Sequence, residues 1–140
     1  MDQEVNVCPN FWKDIKRTRS QSLKVADPNE LFSSLDDLKK IESIPVVQNI
    51  VSLILNSLDS NILDGQSDKY FKQPFLHDGW VIRKLRWAID NRGKRNGLRV
   101  IFAINECEIL MILIATKNDC DDEKKLEKEI MLRIRNYLCI

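Results

Sequence analysis

The apolar positions fall into runs with two different periods. Glu4–Cys8 alternates, with Val5 and Val7 set against Glu4 and Asn6, and predicts a short strand. Pro9-Asn10 then opens Phe11–Ser20, where Phe11, Trp12 and Ile15 share one helical face. Asp27-Pro28-Asn29-Glu30 carries start signals for a second helix: a capping carboxylate, a proline at the first helical position and a glutamate able to reach back to the cap. That helix is expected to bury Leu31, Leu35 and Leu38. A third is predicted from Ser43–Pro45 through Val46, Val47, Ile50, Val51, Ile54, Leu55 and Leu58, an apolar stripe wide enough to imply burial on more than one side.

From Asp59 to Gly79 the periodicity fades into Asp, Ser, Asn, Gly and Pro, and the segment reads as a long connection anchored by Tyr70, Phe71 and Phe75. Trp80–Ala88 alternates again. It places Val81, Arg83, Leu85 and Trp87 on one face of a strand and Ile82, Lys84, Arg86 and Ala88 on the other. Asp90–Gly97 is turn chemistry, after which Leu98, Val100, Phe102 and Ile104 oppose Arg99, Ile101 and Ala103 in a second strand. A turn at Asn105–Glu108 leads to Ile109–Ala115, apolar on both faces and so expected at the centre of three consecutive antiparallel strands. Asp121-Asp122-Glu123 starts a last helix through Leu126, Ile130, Ile134 and Leu138, with Arg133 and Arg135 near its end as the helix dipole prefers. The expected fold is α+β: N-terminal helices packed on a small antiparallel β-sheet with a C-terminal helix. It forms one domain over 1–140, with an extended helical and linker half over about 1–78 and a sheet core over about 79–118.

Composition supports a single globular unit. The chain has 140 residues, 44% of them hydrophobic, and 22 Lys+Arg offset 21 Asp+Glu for a net charge of +1. No apolar signal core lies in the first twenty residues, and Ile109–Ala115 is far too short to span a bilayer, so a cytoplasmic protein without a membrane partner is expected. Cys8, Cys107, Cys120 and Cys139 are scattered, and His77 is the one histidine; reduced, buried thiols and no metal or other cofactor are the expectation. The neutral average conceals one basic block. Trp80–Val100 carries Arg83, Lys84, Arg86, Arg92, Lys94, Arg95 and Arg99 against Asp90 alone, which points to a local polyanion site.

Period-2 geometry sets Lys84 and Arg86 on one strand face about 6.5–7 Å apart. Arg99 joins them if the next strand pairs alongside, and Gly93-Lys94-Arg95-Asn96-Gly97 adds cations in a loop whose glycines let backbone approach a phosphate. A solvated, charged sheet face accounts for the same alternation. Trp80 and Trp87 could stack bases, although core packing of at least one is the simpler expectation. His77 could act as a general acid, but a lone loop histidine is more often incidental. Asp119, Asp121, Asp122 and Glu123 lack the spacing of a calcium loop, and helix-start complementarity explains them better.

The run Arg83-Lys84-Leu85-Arg86, the block Gly93–Phe102 and the later Ile114-Ala115-Thr116-Lys117-Asn118 together resemble the core of the RelE superfamily of toxins, most closely its HigB-like branch. The resemblance covers Gly79–Glu123 in order and with similar spacing. It implies a ribosome-dependent mRNA endonuclease of a type II toxin–antitoxin pair, with a cognate antitoxin, the ribosome and mRNA as partners and no cofactor. By the same resemblance Lys84, Arg86, Arg99 and Lys117 are the catalytic candidates, and Arg83, Lys94, Arg95 and Asn118 would contact RNA. Cleavage by ribose 2′-OH attack needs one proton accepted, one donated and a phosphorane neutralised. Lysine is the candidate base, because arginine stays charged, whereas the arginine fork suits the transition-state charge. The chain departs from the family pattern at Asn96, where a glycine is usual, and at Phe102 and Ala115, where tyrosines are usual. By the resemblance Tyr137 on the last helix could supply a phenol, since related toxins sometimes carry a tyrosine there, with helix-end packing as its simpler role. The competing expectation is a non-catalytic module on the same scaffold that binds a protein target, or RNA, without cutting.

Overall fold

A computed structural model describes residues 4–18, 23, 36–57, 67–69, 76–77, 79–88, 97–105, 108–117, 120 and 122–138. The elements are β1 (Glu4–Val7), α1 (Pro9–Thr18), α2 (Asp37–Glu42), α3 (Pro45–Asn56), β2 (Ser67–Lys69), β3 (Leu76–His77), β4 (Trp80–Trp87), β5 (Leu98–Ile104), β6 (Glu108–Thr116) and α4 (Glu123–Leu138). They build a mixed α+β structure around a six-stranded sheet of order β1-β6-β5-β4-β2, with β3 also pairing on β4.

The local causes are those the chain displays. Asp36 caps α2 by accepting a bond from the Lys39 amide at 2.9 Å. Pro45 occupies the first turn of α3, where its missing N–H costs nothing. Asp122 accepts from the Lys125 amide at 3.1 Å and starts α4. The Asp27–Glu30 start signal, Leu31 and Leu35 lie outside the described residues. Leu38, expected to be buried, is 61% exposed: α2 is short and turns Ile41 inward in its place. The broad stripe of α3 buries Val47, Ile50, Val51 and Ile54 along one wide face, while Leu55 stays 38% exposed.

Two apolar cores sandwich the sheet. On one side Phe11, Trp12, Ile15, Ile41, Ile44 and the buried face of α3 pack on Leu85, Val100, Phe102, Ile109, Met111 and Ile114. On the other, Leu126, Ile130 and Ile134 of α4 cover Ile82, Ile101, Ala103, Leu110, Ile112 and Leu113. The two-sided apolarity of β6 follows from this arrangement.

The sheet departs from the expected purely antiparallel arrangement at β1, which runs parallel to β6 from Glu4↔Glu108 to Val7↔Met111. The central position of the path belongs to β5, and β6 is flanked by β1 along its first half only. The long connection also contributes strands: β2 pairs with Arg83–Leu85, and β3 forms a hairpin in which His77 faces Trp80. Gly79 sits in that hairpin's link at φ +80°, a conformation L side chains rarely adopt.

Pairing with β5 jumps from Phe102↔Met111 to Ile101↔Leu113, so Ile112 is a bulge residue with no partner opposite. The jump reverses the side-chain alternation of β6, which is why Ile112 and Leu113, neighbours in sequence, both belong to the α4-side core. Past β1 the outer edge of β6 is closed by side chains. Arg133 of α4 donates to the Ile112 carbonyl at 2.9 Å, and Asp14 of α1 accepts from the Ile114 amide at 3.2 Å. The two residues bond each other as well, so an ion pair ties both helical layers to the strand edge.

Candidate functional site

The β4–β5 register decides which cations meet. Arg86 stands directly opposite Arg99, and Lys84 opposite Ile101. Lys84 and Arg86 share the α4 face of β4 with Trp80 and Ile82, and Arg99 shares that face of β5 with Ile101 and Ala103. The register therefore sets Lys84, Arg86 and Arg99 on one face of the sheet. Like charges directly opposite on neighbouring strands oppose folding by about 0.2–1 kcal/mol, so sheet packing alone does not favour this pair.

The three cations differ in access. Arg86 is exposed, Lys84 is half-buried, and Arg99 is 6% exposed with Nη1 donating to the Leu98 carbonyl at 3.4 Å. The first turn of α4 reaches the same face, where Glu123 places Oε2 3.5 Å from Lys84 Nζ. Ala115 lies across from Arg99 on β6, and half-buried Lys117 follows that strand directly. Its carbonyl accepts from the Cys120 amide at 3.0 Å.

Other candidates are not brought to this face. Arg83 lies on the opposite side of β4, 5% exposed, where Nη1 donates to Ser67 Oγ at 3.0 Å; as placed, it does not reach a phosphate on the Arg86 side. Period-2 alternation already separated it from Lys84 and Arg86, and the pairing with β2 accounts for its burial. Lys94, Arg95 and Asn118 lie outside the described residues. His77 pairs with Trp80 at the far end of β4, about 20 Å from Arg86 by strand rise. Trp80 is buried in the α4-side core, and Trp87 packs against the other.

The aromatic departures have structural places. Phe102 is fully buried among the helices α1–α3, on the face away from Arg99. Tyr137 lies fourteen residues along α4 from Glu123, about 21 Å at 1.5 Å per residue. There its hydroxyl donates to Glu108 Oε2 at 3.4 Å, and burial followed by the Glu108 charge pushes its pKa up to about 12. It serves the β6 end of the sheet, matching the packing role and not the cationic site.

The strongest electrostatic feature missed in the sequence is Asp14–Arg133, whose side chains are each 4% exposed. Arg133 Nη2 donates to Asp14 Oδ1 at 2.9 Å, and Nε to Glu129 at 2.9 Å. Burial raises the Asp14 carboxyl above its ordinary range against the pull of Arg133. For Arg133 burial works against the charge, but the bonds from Asp14 and Glu129 outweigh it and its pKa is raised. The donor geometry keeps Asp14 a carboxylate. Both Asp14 oxygens accept, from two guanidinium nitrogens and the Ile114 amide, leaving no partner for a carboxyl proton. A cavity of about 270 Å³ lies beside this pair, between α1 and α4.

Cys8 and Cys120 are buried and outside any disulfide, and burial pushes the Cys8 thiol up to about 11. Among the described residues no His/Cys/Asp/Glu group is arranged to hold a metal ion, and no helix is long and apolar enough to cross a membrane. Comparison with known proteins finds no matching family model, no matching curated protein and no matching solved structure.

Proposed function

We propose that this chain is a cytoplasmic endoribonuclease of the RelE/HigB toxin type, which cuts mRNA on the ribosome and is held inactive by a cognate antitoxin covering its cationic face. The observation that carries the reading is the meeting of Lys84, Arg86 and Arg99 on one side of β4 and β5, beside the strand end that bears Lys117. In this reaction the ribose 2′-oxygen bonds to phosphorus while the bond from phosphorus to the 5′-oxygen breaks. The products are a 2′,3′-cyclic phosphate and a 5′-hydroxyl. Arg86 and Arg99 hold the charge of the phosphorane through their forks. Lys84 accepts the 2′-hydroxyl proton, a water molecule gives one to the departing 5′-oxygen, and Lys117 orients the strand. Affinity for the message falls steeply with salt, since most of it comes from phosphate contacts.

The test is induced expression in a bacterial host, with primer-extension mapping of translated messages against untranslated controls. Wild type is expected to cut translated message only. Arg99→Ala should abolish the cuts, and Arg86→Ala, at an exposed position that leaves the core untouched, should reduce them strongly. Wild type that folds yet neither arrests growth nor cuts message refutes the nuclease reading.

A second reading, a module that binds RNA or a protein without cleavage, draws support from one observation. Arg99 is buried and Lys84 is engaged by Glu123, so two of the three cations are covered. Ribosome or RNA binding that depends on Arg86, without any cut, would favour it.

A further inference from the structure

The contact between Glu123 and Lys84 joins two elements that have no packing reason to meet through charges. α4 is held to the sheet by Leu126, Ile130 and Ile134, and at its far half by Arg133 at the β6 edge. Its first residue nevertheless sends a carboxylate onto the one sheet face where Lys84, Arg86 and Arg99 gather. The carboxylate approaches Lys84 as one oxygen of a phosphate would. Its grip is weak: the Glu123 side chain is 51% exposed, against 18% for Lys84, and so costly to hold but easily released. Lys84 is the more enclosed member and keeps its place on the strand. When the two part, Glu123 is the one that moves into solvent.

The geometry points to Glu123 as a built-in competitor for phosphate at Lys84, setting how strongly this face binds a nucleic-acid strand. The inference rests on reading that face as a phosphate-binding surface. A strand docking across Arg86 and Arg99 displaces the Glu123 carboxylate from Lys84 and takes its position. The ion pair therefore sets a threshold: an incoming polyanion has to replace it before it gains the third cation. Removing the charge from Glu123 lifts the threshold, and the larger part of the gain is transmitted through Lys84.

The experiment measures binding of a fluorescein-labelled single-stranded oligodeoxynucleotide, which lacks the 2′-hydroxyl and cannot be cut by this chemistry, by anisotropy at fixed salt. The proteins are wild type, Glu123→Gln, Lys84→Ala, the double variant and Arg86→Ala. Glu123→Gln is expected to tighten binding by about 1.5- to fivefold, the range set by a half-exposed ion pair. Lys84→Ala and Arg86→Ala weaken it, and in the Lys84→Ala background Glu123→Gln has a clearly smaller effect. Unchanged affinity for Glu123→Gln overturns the inference. So does equal tightening in both backgrounds, which would mean a general charge effect. If Lys84→Ala and Arg86→Ala bind like wild type, or no variant binds at all, the phosphate-binding reading of the face fails and this inference falls with it. If those two weaken binding while Glu123→Gln changes nothing, only the role of Glu123 is lost.

Discussion

Removing Asp14 should strongly destabilise the fold, because it breaks a buried ion pair and strands its partner. In Asp14→Ala the Ile114 amide loses its side-chain acceptor, and Arg133 keeps only the Ile112 carbonyl and Glu129. Glu129 is 40% exposed on its side chain and cannot compensate a guanidinium that is 4% exposed. Breaking a buried ion pair by deleting one partner costs about 3–5 kcal/mol. With a total stability of about 5–15 kcal/mol, that is a large share, equivalent to a fall in Tm of about 10–17 °C for a chain of this size. The double variant Asp14→Leu/Arg133→Met removes both charges and fills the space with apolar atoms. It should be more stable than Asp14→Ala, because no buried charge is stranded. It should still fall short of wild type, because the Ile112 carbonyl and Ile114 amide keep their burial and lose their partners, at about 1–3 kcal/mol each. Urea unfolding followed by far-UV circular dichroism reads both effects as midpoint changes at constant slope. Asp14→Ala within about 1 kcal/mol of wild type, or a double variant whose cost equals the sum of the two single ones, would refute the role given to this pair.

Cys8 gives a pH prediction. Its thiol is raised from 9.0 to about 11 by burial, so the unfolded chain releases the proton first. The stability it protects is complete below pH 9 and is lost as pH climbs toward 11, a change of about 2–3 kcal/mol that Cys8→Ala should remove from the alkaline limb of a pH–stability curve. The same burial makes Cys8 slow to react with iodoacetamide at neutral pH, and rapid labelling of the native protein would contradict its place in the core. Ile130→Ala, at a fully buried position on α4, should cost about 2–5 kcal/mol in urea unfolding. Leu132→Lys, on the same helix at 53% exposure, should stay within about 0.5 kcal/mol of wild type in that assay.

These residues show where the amino-acid sequence is informative about the fold and where it is silent. Strand alternation is local, so Lys84 and Arg86 sharing a face, and Arg83 taking the other, follow from period 2 alone. Helix starts at Pro45 and Asp122 are equally local. β2 is a polar edge strand with no apolar signal, whereas the β3–β4 hairpin did carry one in Asp78-Gly79, a dipeptide favoured in two-residue hairpin links. The parallel pairing of β1 with β6 could not be read, because its partners lie over a hundred residues apart. The bulge at Ile112 was hidden for a different reason: in a strand apolar on both faces, a slip of one residue leaves the hydrophobic pattern unchanged. Arg133 reads in sequence as a helix-end complement to the dipole, yet it turns inward to Asp14, 119 positions away. That contact anchors the second half of α4 at the β6 edge, while Leu126 seats its first half beside Cys120 and the sheet. Glu123 meets Lys84 at the first turn of a helix pinned twice, by Leu126 near that turn and by Arg133 ten residues on, so the cationic face is linked through α4 to a tertiary anchor at the β6 edge. Asp14→Ala therefore bears on the site as well as on stability. If α4 loosens at Arg133, Glu123 should lose its hold on Lys84, and at temperatures where the variant stays folded its oligodeoxynucleotide affinity should shift toward that of Glu123→Gln.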